Sequence, residues 1–142
     1  MPVFYGRLAS TIVLAVCLAG SFSEASATSA RITMGPGGRV TGIQNLVPRD
    51  ECFPATIQGR VVKRDFDRSG LYLAGIVVEE KKGTRTFINV DNEYVDKDAV
   101  TTARTKSALE EMLAIGKKVN LGVYACGAAG RTLNVHSVKV AR

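Results

Sequence analysis

Three cysteines, one histidine and one acidic run hold the side chains whose chemistry could go beyond packing: Cys17, Cys52, Cys126, His136, and Asp91, Glu93, Asp96 and Asp98. A thiol beside an imidazole makes a nucleophile, so Cys52 or Cys126 with His136 is a formal candidate pair. A disulfide would consume that thiol. Two thiols 74 positions apart with a single histidine make a poor zinc set, since a structural site needs four nitrogen or sulfur ligands. The acids between Asp91 and Asp98 invite calcium, but they lack the central glycine and closing glutamate of an EF-hand loop and read better as a solvated connection. His136 has no identifiable carboxylate to orient it and reads as a strand residue rather than a general base. Met34-Gly35-Pro36-Gly37-Gly38-Arg39 is glycine-rich, yet no Gly-Lys-Ser/Thr follows to cradle a phosphate. The expectation is therefore no catalytic residue, no metal and no cofactor.

The fate of the thiols depends on the compartment, and the N-terminus addresses it. Met1–Arg7 carries one cation, Leu8–Gly20 is apolar, and Ser21–Ala30 is small and polar with Ala25-Ser26-Ala27 as a cleavage motif. That order of regions is a secretory signal peptide, expected over residues 1–27, with a second possible site at Thr28-Ser29-Ala30. Two other readings run against the residues. An uncleaved membrane anchor needs about 20 apolar positions. Lipid attachment at Cys17 prefers a small neighbour where Val16 stands. Cleavage leaves no transmembrane anchor and a periplasmic or secreted protein. It also leaves two cysteines, an even number in an oxidising compartment, so Cys52 and Cys126 are expected to pair. The closed loop of about 75 residues is worth roughly 4–5 kcal/mol in the chain-entropy account.

The formal net charge is +6, and losing Arg7 and Glu24 with the leader leaves it unchanged. Such a charge suits an acidic partner: a polyanionic glycan, an anionic membrane surface or nucleic acid. It equally suits plain solubility, because the cations are dispersed along the chain.

The elements that must position these residues are mostly strands. Residues 28–51 lack periodicity and read as a flexible linker or arm. A domain is expected over residues 52–142. Cys52–Phe66 forms a first strand whose apolar side switches between Val61 and Val62, which implies a bulge or a sharp coil, with Gly59 permitting a tight bend. Leu71–Glu79 is apolar on both parities and should be a buried central strand. Glu80-Lys81-Lys82-Gly83 turns the chain into a third strand, Thr84–Val90. A helix is expected to begin near Ser107, where Ser107 and Glu110 are spaced as a capping box; Leu109, Met112 and Leu113 supply its apolar stripe, and Gly116 its end. Val119–Cys126 and Thr132–Val140 flank the glycine-bounded loop Gly127–Arg131 as a closing β-hairpin. A second parity switch falls at His136-Ser137.

Strand, strand, strand, helix, strand, strand over about residues 56–140 resembles the OB-fold, a five-stranded Greek-key barrel with one α-helix between strands three and four. SH3-like barrels and small α+β sheets are the competing folds. The resemblance implies a ligand surface on strands two and three, flanked by the loops Asp65–Gly70 and Gly127–Arg131. Lys63, Arg64, Phe66, Arg68, Tyr72, Arg85 and Arg131 are the site residues it implies, with Phe87 and Tyr124 nearby. It also implies that Cys126 pins the base of the second loop.

Three function classes follow. The first is an exported, non-enzymatic binding module for a glycan, a peptide or an envelope or secreted protein. The second is single-strand nucleic-acid binding, using Lys63, Arg64 and Arg68 with Phe66 and Tyr72 as stacking platforms. The low aromatic content and the absence of tryptophan weigh against it. The third is a divergent metal-dependent enzyme resembling staphylococcal nuclease, whose Asp-Gly-Asp-Thr-like run is missing here. The first is preferred.

Overall fold

The computed structural model describes residues 30–46, 52–90 and 99–141. The expected leader, residues 1–27, and the acids Asp91–Asp98 lie outside the described residues. The chain forms β1 (Arg31–Met34), β2 (Val40–Gln44), β3 (Phe53–Phe66), β4 (Leu73–Glu80), β5 (Arg85–Asn89), α1 (Ala99–Met112), β6 (Lys118–Cys126) and β7 (Thr132–Val140). Short 3-10 turns occupy Pro36–Gly38 and Ala128–Gly130.

Five strands close into a ring. β3 pairs with β4, β4 with β5, β5 with β7, β7 with β6, and β6 returns to β3. All these pairings are antiparallel except β5 with β7, which meet in parallel at Asn89 and Asn134. β3 makes closure possible by changing partners along its length. Residues 53–60 pair with β6 and residues 59–66 with β4, so Gly59 and Arg60 pair on both edges. A side chain at Gly59 would meet the Glu79 carbonyl and lie 2.6 Å from Val78 Cγ1. Only glycine allows the two strands to approach so closely there.

Both parity switches are bulges. Val61 pairs with Val78 and Lys63 with Val77, leaving Val62 unmatched. Gly122 pairs with Ser137 and Val123 with Val135, leaving His136 unmatched. Each extra residue bends its strand and raises local twist, which turns a flat sheet into a curved one.

The interior is aliphatic. Val61, Ile76, Val78, Ile88, Leu121, Val123, Val135 and Val138 are fully buried in one cluster. Each such side chain contributes roughly 1.5–3 kcal/mol by leaving water. The helix covers this core with Thr105, Ala108, Leu109, Met112 and Leu113, an i, i+3, i+4, i+7, i+8 stripe facing β2, β4 and β7. It begins at Ala99, not near Ser107, and runs for 14 residues. The capping-box spacing at Ser107 and Glu110 lies inside the helix, because the buried stripe extends a turn further toward the N-terminus through Thr105, which carries little hydropathy signal. Gly116 ends the element at φ 88°, and its N–H donates to the Val61 carbonyl. That bond ties the helix end to the bulge of β3.

Residues 30–46, expected as part of a flexible linker or arm, instead form the β1–β2 hairpin. β2 pairs with β7 through Gly42 opposite Lys139 and Ile43 opposite Val138. Ile43 and Leu46 are 0% exposed, and the Leu46 N–H donates to the His136 carbonyl at 3.1 Å. Two buried aliphatic residues and one bond to the bulge dock the segment. The Gly35–Arg39 stretch that suggested flexibility is the tight turn joining the two strands, with Gly37 and Gly38 at φ 73° and 75°.

Candidate functional site

The seven site residues divide into three groups rather than one surface. Lys63 and Arg85 lie on the outer face of β3, β4 and β5, on the side of Val77, the residue opposite Phe87. Both charges are already paired there: Lys63 Nζ sits 2.8 Å from Asp65 Oδ1, and Arg85 Nε 2.9 Å from Glu79 Oε2. The Phe87 ring covers Gly75, and half of it stays exposed. A side chain at Gly75 would stand 2.5 Å from that ring, so glycine makes the seat for the aromatic.

Arg64 and Phe66 project from the opposite side of β3, the side shared with Ile76 and Ile88. Strand alternation puts them together, and the Arg64 guanidinium lies 4.9 Å from the Phe66 ring centroid. Arg64 Nε is buried and has no hydrogen-bond partner among the described residues. Tyr72 belongs to the same end of the ring, where Lys106 of α1 places its ammonium 3.7 Å from the phenol ring centroid.

Residues Asp67–Tyr72 connect β3 to β4 and join these aromatics. Asp67 holds this loop together. Ser69 Oγ lies 2.7 and 2.8 Å from its carboxylate oxygens, the Tyr72 N–H donates to Oδ1 at 3.2 Å, and the Asp67 N–H donates to the Tyr72 carbonyl. The Ser69 hydroxyl, and after it the backbone N–H groups, hold the Asp67 carboxyl below the usual aspartate range. The loop is thus ordered while its side chains face water: Phe66 is 44%, Leu71 68% and Tyr72 44% exposed. Arg68 sits in this loop, exposed, with no ion pair among the described residues.

Arg131 belongs to a third place, the β6–β7 connection. Cys52 and Cys126 are bridged at its base with Cα atoms 4.8 Å apart. The Asn134 amide donates to Cys126 Sγ at 3.5 Å, and the Asn89 amide donates to Asn134 Oδ1 at 3.4 Å. These contacts knit the parallel β5–β7 closure to the disulfide. The bridge leaves neither cysteine as a thiolate, which removes the Cys–His nucleophile.

His136, the bulged residue of β7, stacks on Tyr124 with ring centroids 4.3 Å apart. Burial pushes its pKa below the ordinary value of 6.5. The folded chain therefore resists a proton that the unfolded chain accepts. Stability should be independent of this group above pH 6.5, decline as pH falls from there to the folded pKa, and level off below it. Urea midpoints at neutral and mildly acidic pH check this. The acidic loss should be smaller in His136→Gln than in the wild type; an equal loss in both would remove His136 as its source.

Sequence reasoning missed Leu71 and Lys106. Leu71 counted as strand core because the run from Leu71 to Val78 is continuously apolar, and nothing local separates a loop leucine from a strand leucine. Lys106 reaches Tyr72 only through the docking of α1. Among the described residues no group of three or more histidine, cysteine, aspartate and glutamate side chains is placed to hold a metal ion. Nor, among them, is any helix long and apolar enough to cross a membrane. No protein-family model, curated protein or solved structure matches this chain, so the site is read from its geometry.

Proposed function

We propose that this protein is an exported, non-enzymatic binding module with an OB-like barrel, periplasmic or secreted, that recognises a protein partner through the β3–β4 loop. The ring order β3–β4–β5–β7–β6, with a helix between the third and fourth ring strands, supports the barrel reading. The disulfide supports export.

The observation that carries the function is the ordered loop that keeps Phe66, Leu71 and Tyr72 in water. Exposed aromatic and aliphatic side chains on a rigid loop act as interface anchors, because ordering them on binding costs little further entropy. The flanking Arg64 and Lys106 suit the charged rim of such a patch. Nucleic acid fits less well, since of the cations that reading combines with Phe66 and Tyr72, Lys63 is paired with Asp65 and lies on the face of β3 opposite Arg64.

Immobilised wild-type protein and a Phe66→Ser/Leu71→Asp variant, each exposed to envelope extract of the host, test the reading. A protein retained stoichiometrically by the wild type at high salt, and lost from the variant, is the expected result. Equal retention by both, or retention that vanishes with salt alone, overturns it.

A further inference from the structure

A second surface lies at the other end of β4, roughly 25 Å from the aromatic loop by strand rise. Two adjoining grooves, one of them lined by Gly59 at the bend of β3, share Gln58, Glu80 and Lys81. One extends toward Arg60 and Lys118, the other toward Lys82 and Thr84. Together they form one elongated depression between the β4–β5 turn and the start of β6.

Its charge is one-sided. Lys81, Lys82 and Lys118 form no ion pair among the described residues. Arg60 donates Nη1 to the Gly116 carbonyl at 3.1 Å, which satisfies one donor and leaves its charge uncompensated. Of the two carboxylates in the groove, Glu79 is neutralised by Arg85. Glu80 accepts from the Thr86 hydroxyl at 2.9 Å and has no cation partner among the described residues. Among the described residues, four cations therefore face one free anion along the groove.

We infer that this groove binds an acidic polysaccharide. Two features select that ligand among polyanions. Among the described residues no aromatic side chain lines the groove, so a single-stranded nucleic acid would find no ring there on which to stack its bases. What the groove offers between its cations is the Gln58 amide and the hydroxyls of Thr56 and Thr84. These are partners for sugar hydroxyls, while lysine ammoniums serve as point charges for carboxylate or sulfate groups.

The test is titration of the disulfide-bonded protein with heparin and with polygalacturonate, with oligothymidylate and polyglutamate as competitors, at low and raised salt. Binding of at least one polysaccharide is expected, weakening as salt rises. A Lys81→Gln/Lys82→Gln/Lys118→Gln variant should bind about tenfold more weakly, with a shallower salt dependence. Leu71→Asp should bind the polysaccharide as the wild type does, which separates this site from the aromatic loop. The inference fails if neither polysaccharide binds, if the triple variant binds as tightly as the wild type, or if oligothymidylate or polyglutamate binds as tightly as the better polysaccharide.

Discussion

Alanine at both Cys52 and Cys126 is expected to cost about 4 kcal/mol, the entropy of closing a loop of 74 residues in the unfolded chain. The bridge sits where local structure is already dense. Phe53 pairs with Ala125 immediately beside it, so the native backbone gains little from the bond. Its contribution therefore falls mainly on the unfolded state, which gives the experiment a second readout. Freed of the cross-link, the unfolded chain expands and exposes more surface, so the urea m-value should rise while the midpoint falls. A large midpoint drop with unchanged m would place the effect in the folded state, through the Asn134 contact to Cys126 and the parallel closure beside it. A drop below about 1 kcal/mol would mean the loop is short-circuited by residual structure in the unfolded chain.

Gly59→Ala is the second large effect, expected at about 3 kcal/mol. The new methyl would press on the Glu79 carbonyl and on Val78 Cγ1. The first is backbone, held by β4 pairing on both of its own edges, and the second is a fully buried core side chain, so neither gives way cheaply. The strain would open the crossing of β3 between β4 and β6. Gly42→Ala is the control. Its added carbon would meet nothing nearer than 3.5 Å, and its φ is not in the left-handed region, so it should lie within about 0.5 kcal/mol of the wild type. Chemical denaturation of the two variants side by side separates a steric effect from a general penalty for alanine in these strands. Equal stability of the two would remove Gly59 as the hinge of the ring. Because Gly59 also floors the lysine groove, a folded Gly59→Ala protein should bind acidic polysaccharide more weakly as well.

Much of the ring was legible in the sequence because its signals are local. Alternation of Ile57, Gly59 and Val61 against Val62, Arg64 and Phe66 places a bulge wherever the apolar side changes, and the bulges at Val62 and His136 stand where the alternation breaks. The glycine-bounded loop between Cys126 and Thr132 makes a hairpin by turn chemistry alone, and two cysteines suffice to expect their pairing. The helix was legible only in its second half, where Leu109, Met112 and Leu113 carry the hydropathy; its first turns hold Thr105, whose burial depends on packing. Other features belong to the tertiary structure because they depend on what lies across space. Residues 40–46 are too short and too interrupted by glycine to signal a strand, and only the open edge of β7 beside Val138 makes them one. The same holds for charge. Lys63, Arg64, Arg68 and Arg85 look alike along the chain, but Asp65 and Glu79 neutralise two of them, Phe66 lies against the third, and the fourth faces water. Lys81, Lys82 and Lys118 meet across β3 although 36 residues separate Lys82 from Lys118. Periodicity reports which side of a strand a residue occupies; whether its charge is spent or free is set by Coulomb interactions over a few ångströms, and those distances exist only after the ring has closed.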